Sequence, residues 1–122
     1  MKIQEKSQLK IYIDSSQREL KKVTLLEILE NDEREIDFIE GDIDVVGAIR
    51  DLLKRNNLDL RDISEFIPKL GPGSFTGLKV GVTIANVFNW LLGKRNLKEL
   101  YYPEYGKEPN ISEPKRKEPV EQ

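Results

Sequence analysis

The sequence has neither cysteine nor histidine in its 122 residues. Without cysteine there is no disulfide, no thiolate nucleophile and no thiolate zinc site. Without histidine there is no Ser-His-Asp triad, no imidazole general base and no histidine metal ligand. No apolar run is long enough to cross a bilayer, and residues 1–6 lack the apolar stretch of a signal peptide. No membrane association is expected, and a cytoplasmic location is. Neither charge sign dominates: 20 Lys and Arg stand against 22 Asp and Glu, for a net charge of −2 and a pI near 5.3. That balance argues against this chain gripping nucleic acid by itself. Carboxylates remain for acid-base work or hard cations, but in a chain that is 34% charged most are solvated surface. No catalytic residue and no metal ligand is assigned.

What is present is enough for one domain with a core of its own. The stretch that organises it is Gly71-Pro72-Gly73-Ser74-Phe75-Thr76-Gly77, three glycines and a proline in seven residues. Such a backbone bends sharply and leaves little room for side chains. An apolar run over 66–70 precedes it and reads as a strand; a helix over 78–92 follows, with Ser74 or Thr76 as N-cap. Strand, tight turn and helix make half of a parallel βαβ unit. The helix N-terminus has the polarity to attract an anion, and packing of strand against helix explains the same glycines. A Walker A loop would end in Gly-Lys-Ser/Thr, which this one lacks.

Earlier in the chain, residues 9–13 alternate apolar and polar as a first strand and end at Asp14-Ser15-Ser16. Residues 23–29 and 35–39 are a second and third strand, with a turn over 31–34 between them; short links suggest an antiparallel meander. A helix over 43–55, capped by Asp42, carries Val45, Val46, Ile49, Leu52 and Leu53 on its core side. Gly47, Ala48 and Asp51 fall on its other sides. On the second helix, Gly77, Gly81, Ile84, Ala85, Phe88 and Leu92 share the face predicted to meet the sheet. Val80, Val87 and Leu91 widen the apolar arc, and Trp90 lies with Lys79, Thr83 and Asn86. Tryptophan in that setting is either a surface aromatic or an interface anchor. A last strand is predicted over 97–101. From Pro103 onward there are four prolines and nine charged residues, the composition of an extended or disordered tail. The expected division is a domain over 1–102 and a tail over 103–122.

The segment GPGSFTGLKVGVTIANVFNWLLG closely resembles the GPGSFTGLR(I/V)G segment of the TsaB family, also called YeaZ. The resemblance covers roughly residues 8–102 with a fragment of the tail, and its motif is long and ungapped. It implies an α/β fold: a single actin-like (ASKHA, ribonuclease H-like) subdomain with a five-stranded mixed sheet and two main helices. A full TsaB has two related subdomains, and the second is expected to be missing here. The family belongs to bacterial tRNA threonylcarbamoyladenosine synthesis, so the implied role is a non-catalytic subunit supporting a TsaD-like transferase, with a TsaE-like ATPase joining. Cofactors are then none for this chain, with ATP and metal held by the partners and tRNA reached only through the complex.

By resemblance, both helices pair with two from the partner in a four-helix bundle. The residues expected at that interface are Gly47, Ala48, Asp51, Thr83, Asn86, Val87 and Trp90, and the same surface is expected to form a homodimer when the chain is alone. In actin-like ATPases an aspartate at the position of Asp14 belongs to a phosphate loop. Asp14 and Ser15 are either a vestige of that loop or an Asx-type turn, since the glycine of ATP-binding relatives is absent. Two alternatives follow: a small nucleotide-binding enzyme using Asp14 and the Gly71–Gly77 loop, and a homodimeric module without a tRNA role.

Overall fold

A computed structural model describes residues 7–93 and Tyr101. Strand β1 (Gln8–Asp14) sends Leu9, Ile11 and Ile13 into the core, the period of two expected of a strand with one covered face. It pairs antiparallel with β2 (Lys21–Leu29), Ile11 opposite Leu25 and Ile13 opposite Val23. Strand β3 (Asp32–Gly41) returns antiparallel to β2, with a bulge between Leu25 and Leu26. Strand β4 (Glu65–Pro68) lies on the other side of β1 and runs parallel to it, Phe66 opposite Ile11. The sheet order is β3-β2-β1-β4, four strands of mixed direction.

The predicted turn over 31–34 is shorter than expected, because β2 and β3 are joined through Glu30 and Asn31 alone. Arg34 therefore lies within β3 opposite Glu27, and its guanidinium pairs with that fully buried carboxylate. A buried charge is tolerable only with such a partner. The fifth strand predicted over 97–101 lies outside the described residues except for Tyr101, and so does the tail from Pro103.

Helix α1 (Val45–Arg55) begins two residues later than expected. Asp44, not Asp42, is the cap, its Oδ2 accepting from the Gly47 amide at 3.1 Å. Its buried positions are Val45, Ala48, Ile49, Leu52 and Leu53. Helix α2 (Phe75–Leu91) begins three residues earlier than expected, and Leu78, Gly81, Val82, Ala85 and Asn89 form its buried side. A short 3-10 turn (Leu60–Asp62), capped by Asp59, joins α1 to β4. The buried side of α1 and Ala85 of α2 form one cluster with Leu9, Ile11, Ile13, Val23, Leu25 and Phe66, and Ile84, Phe88 and Leu92 pack against it. Helix α2 packs on β4 and β1, whereas α1 packs on β2 and β3.

Candidate functional site

The fold places the glycine elbow directly against the turn that ends β1. Ser15 is buried there, donating from Oγ to the Gly77 carbonyl at 2.5 Å and accepting from the Gly81 amide at 3.0 Å. The Ser74 amide donates to the Ser16 carbonyl at 3.3 Å. A Cβ on Gly73 would lie 2.5 Å from Ser16 Cβ, and one on Gly81 2.5 Å from Ser15 Oγ. A Cβ on Gly77 would fall onto the Ser15 backbone oxygen. Real Cβ atoms do not approach so closely, so the stripe at 73, 77 and 81 admits one backbone turn against another. Of the amides at this helix start, that of Ser74 is taken by the Ser16 carbonyl and that of Gly77 by Ser74 Oγ.

The polar groups of the elbow have local partners as well. Ser74 is the N-cap of α2, its Oγ accepting from the Gly77 amide at 2.9 Å. The Gly71–Pro72 peptide is cis, and Pro72, Phe75 and Thr76 are exposed. Asp14 Oδ1 accepts from the Ser16 amide at 3.0 Å and from Ser16 Oγ at 2.6 Å, which is the Asx-turn geometry. Lys69 Nζ stands 3.8 Å from its other oxygen. The Tyr12 phenol is held above its usual range, first by burial and then by the Asp14 carboxylate near it. Among the described residues, no three carboxylates gather as they would to hold a metal ion.

A second set of residues lies on the helices. Thr83, Val87 and Trp90 share the outer side of α2 with Val80 and Leu91, and all five are exposed. Asp51 is exposed on α1, its carboxylate 3.4 Å from Arg50 Nε. Gly47 is half-buried beside the Asp44 cap. Ala48 does not join this surface: it is 5% exposed and belongs to the core. Val46, which the wheel places beside the core positions, turns outward instead and is 47% exposed.

Asn86 is half-buried and clamps one backbone unit: Nδ2 donates to the Tyr101 carbonyl at 2.8 Å, and Oδ1 accepts from its amide at 2.7 Å. Asn89 does the same to Phe66, accepting from its amide and donating to its carbonyl, both at 2.8 Å. Sequence periodicity gives Asn89 no role. The one available signal is its spacing of four from Ala85 and eight from Gly81, which puts an amide on the small-residue side of the helix. Among the described residues, no helix is long and apolar enough to cross a membrane.

Residues 43–97, a little under half of the chain, match the model of a family described as TsaD, tRNA N6-adenosine threonylcarbamoyltransferase. The tRNA threonylcarbamoyladenosine biosynthesis protein TsaB of Bacillus subtilis (strain 168) is 38% identical over 45 residues, 37% of this chain and 20% of that protein. Among solved structures, YeaZ from Pseudomonas aeruginosa superposes with a TM-score of 0.57 at 18% identity, over 74% of this chain and 42% of that one. A second, described as an uncharacterized protein with similarity to peptidase YEAZ from Pseudomonas aeruginosa, gives 0.55 at 17% identity with the same coverage. The chain thus spans less than half the length of the relatives it matches, and the structural likenesses concern the fold. With the ungapped glycine motif and the helix it feeds, these matches support a likeness to TsaB and YeaZ proteins.

Proposed function

We propose that this protein is an accessory subunit in threonylcarbamoyladenosine modification of tRNA, binding and supporting a TsaD-like transferase. The observation that carries this reading is the apolar outer side of the helix pair. Val80, Val87, Trp90 and Leu91 of α2 are between 39% and 64% exposed, and Val46 of α1 is 47% exposed. A cluster of large apolar side chains on the side away from the sheet is what a partner helix covers. The names of the matched relatives supply the pathway: a TsaB from Bacillus subtilis and a family described as the transferase. On this reading the chain contributes surface rather than chemistry. ATP and metal belong to the partners, a TsaE-like ATPase joins the assembly, and tRNA is met through the complex. Alone, the same surface pairs two copies of the chain.

Co-purification of the tagged chain with its host's TsaD-like protein, followed by a tRNA modification assay with and without the chain, tests the proposal. The wild type is expected to capture the partner and to raise modification. Capture by a Val46→Glu, Trp90→Ala double variant is expected to fail although the variant folds, because both positions are exposed. An unpaired carboxylate buried at a helix interface costs several kcal/mol, against about 8 kcal/mol for a whole micromolar complex.

A further inference from the structure

Helices α1 and α2 sit on different strand pairs, and between their C-terminal halves lies an open groove of about 780 Å³. Its floor is apolar: Ile49 and Leu53 from α1, Leu58 and Leu60 from the connector, Phe88 and Leu92 from α2. Its charged lining is unbalanced, with three cations, Arg50, Lys54 and Arg61, and one carboxylate, Asp59. In a chain of net charge −2 this is a local reversal of sign. The pairings present do little to cancel it. Arg61 stands 3.9 Å from Asp59 and Arg50 3.4 Å from Asp51, all four side chains largely exposed, and Lys54 has no carboxylate within ion-pair distance among the described residues.

From this groove we infer the chemistry of its occupant: an amphipathic helix of another protein whose apolar stripe is flanked by acidic side chains. This deepens the accessory-subunit reading and rests on it. An apolar floor between two helices accepts side chains spaced i, i+3, i+4 and i+7, and a cationic rim favours carboxylates beside that stripe. A second copy of the chain meets the floor but not the rim. The outer side of α2 is the apolar ridge it would insert, and Lys79 is the sole charged residue in Phe75–Leu91. Self-pairing through α2 therefore leaves the cations unanswered, whereas an acidic partner answers them and displaces the second copy.

The test uses the full chain and two labelled synthetic peptides of about 18 residues, long enough for a stable amphipathic stripe. Both carry the same leucine stripe, one flanked by glutamates and the other by lysines. Fluorescence anisotropy is expected to show roughly tenfold tighter binding of the glutamate peptide at low salt, a gap that narrows as salt screens the rim. A Lys54→Glu, Arg61→Glu variant, altered only at exposed positions, is expected to reverse the order of the peptides. Equal affinities, a preference for the lysine peptide, or an order unchanged by the charge reversal would overturn the inference. So would a dimer that excludes both peptides until Trp90→Glu, at an exposed position, dissociates it. Failure here is separable from failure of the accessory role. If the charge-reversed variant still captures the TsaD-like protein as the wild type does, the role stands and the acidic occupant falls.

Discussion

Asn89 is a polar side chain with no exposed surface, and it spends one donor and its acceptor oxygen on the backbone of Phe66. Removing it orphans a buried amide and a buried carbonyl together. Asn89→Leu is therefore expected to destabilise the fold by about 1–3 kcal/mol for each unpaired group, read by urea denaturation. Asn89→Asp keeps the acceptor for the Phe66 amide but loses the donor, so it is expected to be destabilising too. A loss within a few tenths of a kcal/mol for the leucine variant would show that water reaches Phe66. Gly81 makes the complementary case. Gly81→Ala is expected to cost about 1–3 kcal/mol by overpacking against Ser15 Oγ. Part of that cost is expected to vanish in Gly81→Ala with Ser15→Ala, since the second change removes the colliding oxygen. Double-mutant analysis of the denaturation midpoints reads this coupling.

At the scale of elements, the meander, the glycine elbow and both helices are legible in the sequence, and the faces of the helices are only partly so. On α1 both Val46 and Ala48 are hydrophobic, and a wheel favours the larger for the core. The sheet instead takes the small Ala48 where the helix lies close and sends Val46 outward. On α2 the apolar arc is too wide for periodicity to choose a side. The choice rests on tertiary facts: Leu78, Val82 and Asn89 face β4 and β1, and the glycines meet Ser15 and Ser16. The Ser15 contacts join residues more than sixty positions apart, which no local pattern reports.

The junction of α1 with β3 carries a prediction of its own. Arg55 donates to Asp37 from Nη2 at 2.6 Å and from Nε at 3.2 Å, and Asn56 Nδ2 adds a third bond at 3.0 Å. The Arg55 hydrogen bond is the largest cause holding the Asp37 carboxyl below its usual range, with smaller help from Asn56 and the Phe38 amide against desolvation. A lowered folded-state value makes the ionised form the stabilising one. Its contribution is complete at neutral pH and is lost as pH falls below the ordinary aspartate range through the folded value. Thermal unfolding of Asp37→Asn is thus expected to fall below wild type at neutral pH and to converge with it in acid. A gap that widened on acidification would contradict the assignment.

For the whole molecule, the two candidate regions come apart in kind. The elbow packs on the turn that follows Asp14, with Ser15 and Ser16 against Gly73, Gly77 and Gly81. The outer side of α2 stays exposed at Val80, Val87, Trp90 and Leu91, and the proposed accessory role rests on it. This also fixes which variants are informative. Ala48→Glu would place a carboxylate in the core and report on folding, whereas Val46→Glu with Trp90→Ala alters the exposed surface alone. The most direct measurement is calorimetric titration of the host's TsaD-like protein into the full chain, wild type and double variant. The account predicts micromolar or tighter binding by the wild type and none detectable by the folded variant. Equal binding by both would contradict it. So would a wild type that ignores the TsaD-like protein yet binds Mg-ATP with micromolar affinity lost on Asp14→Ala.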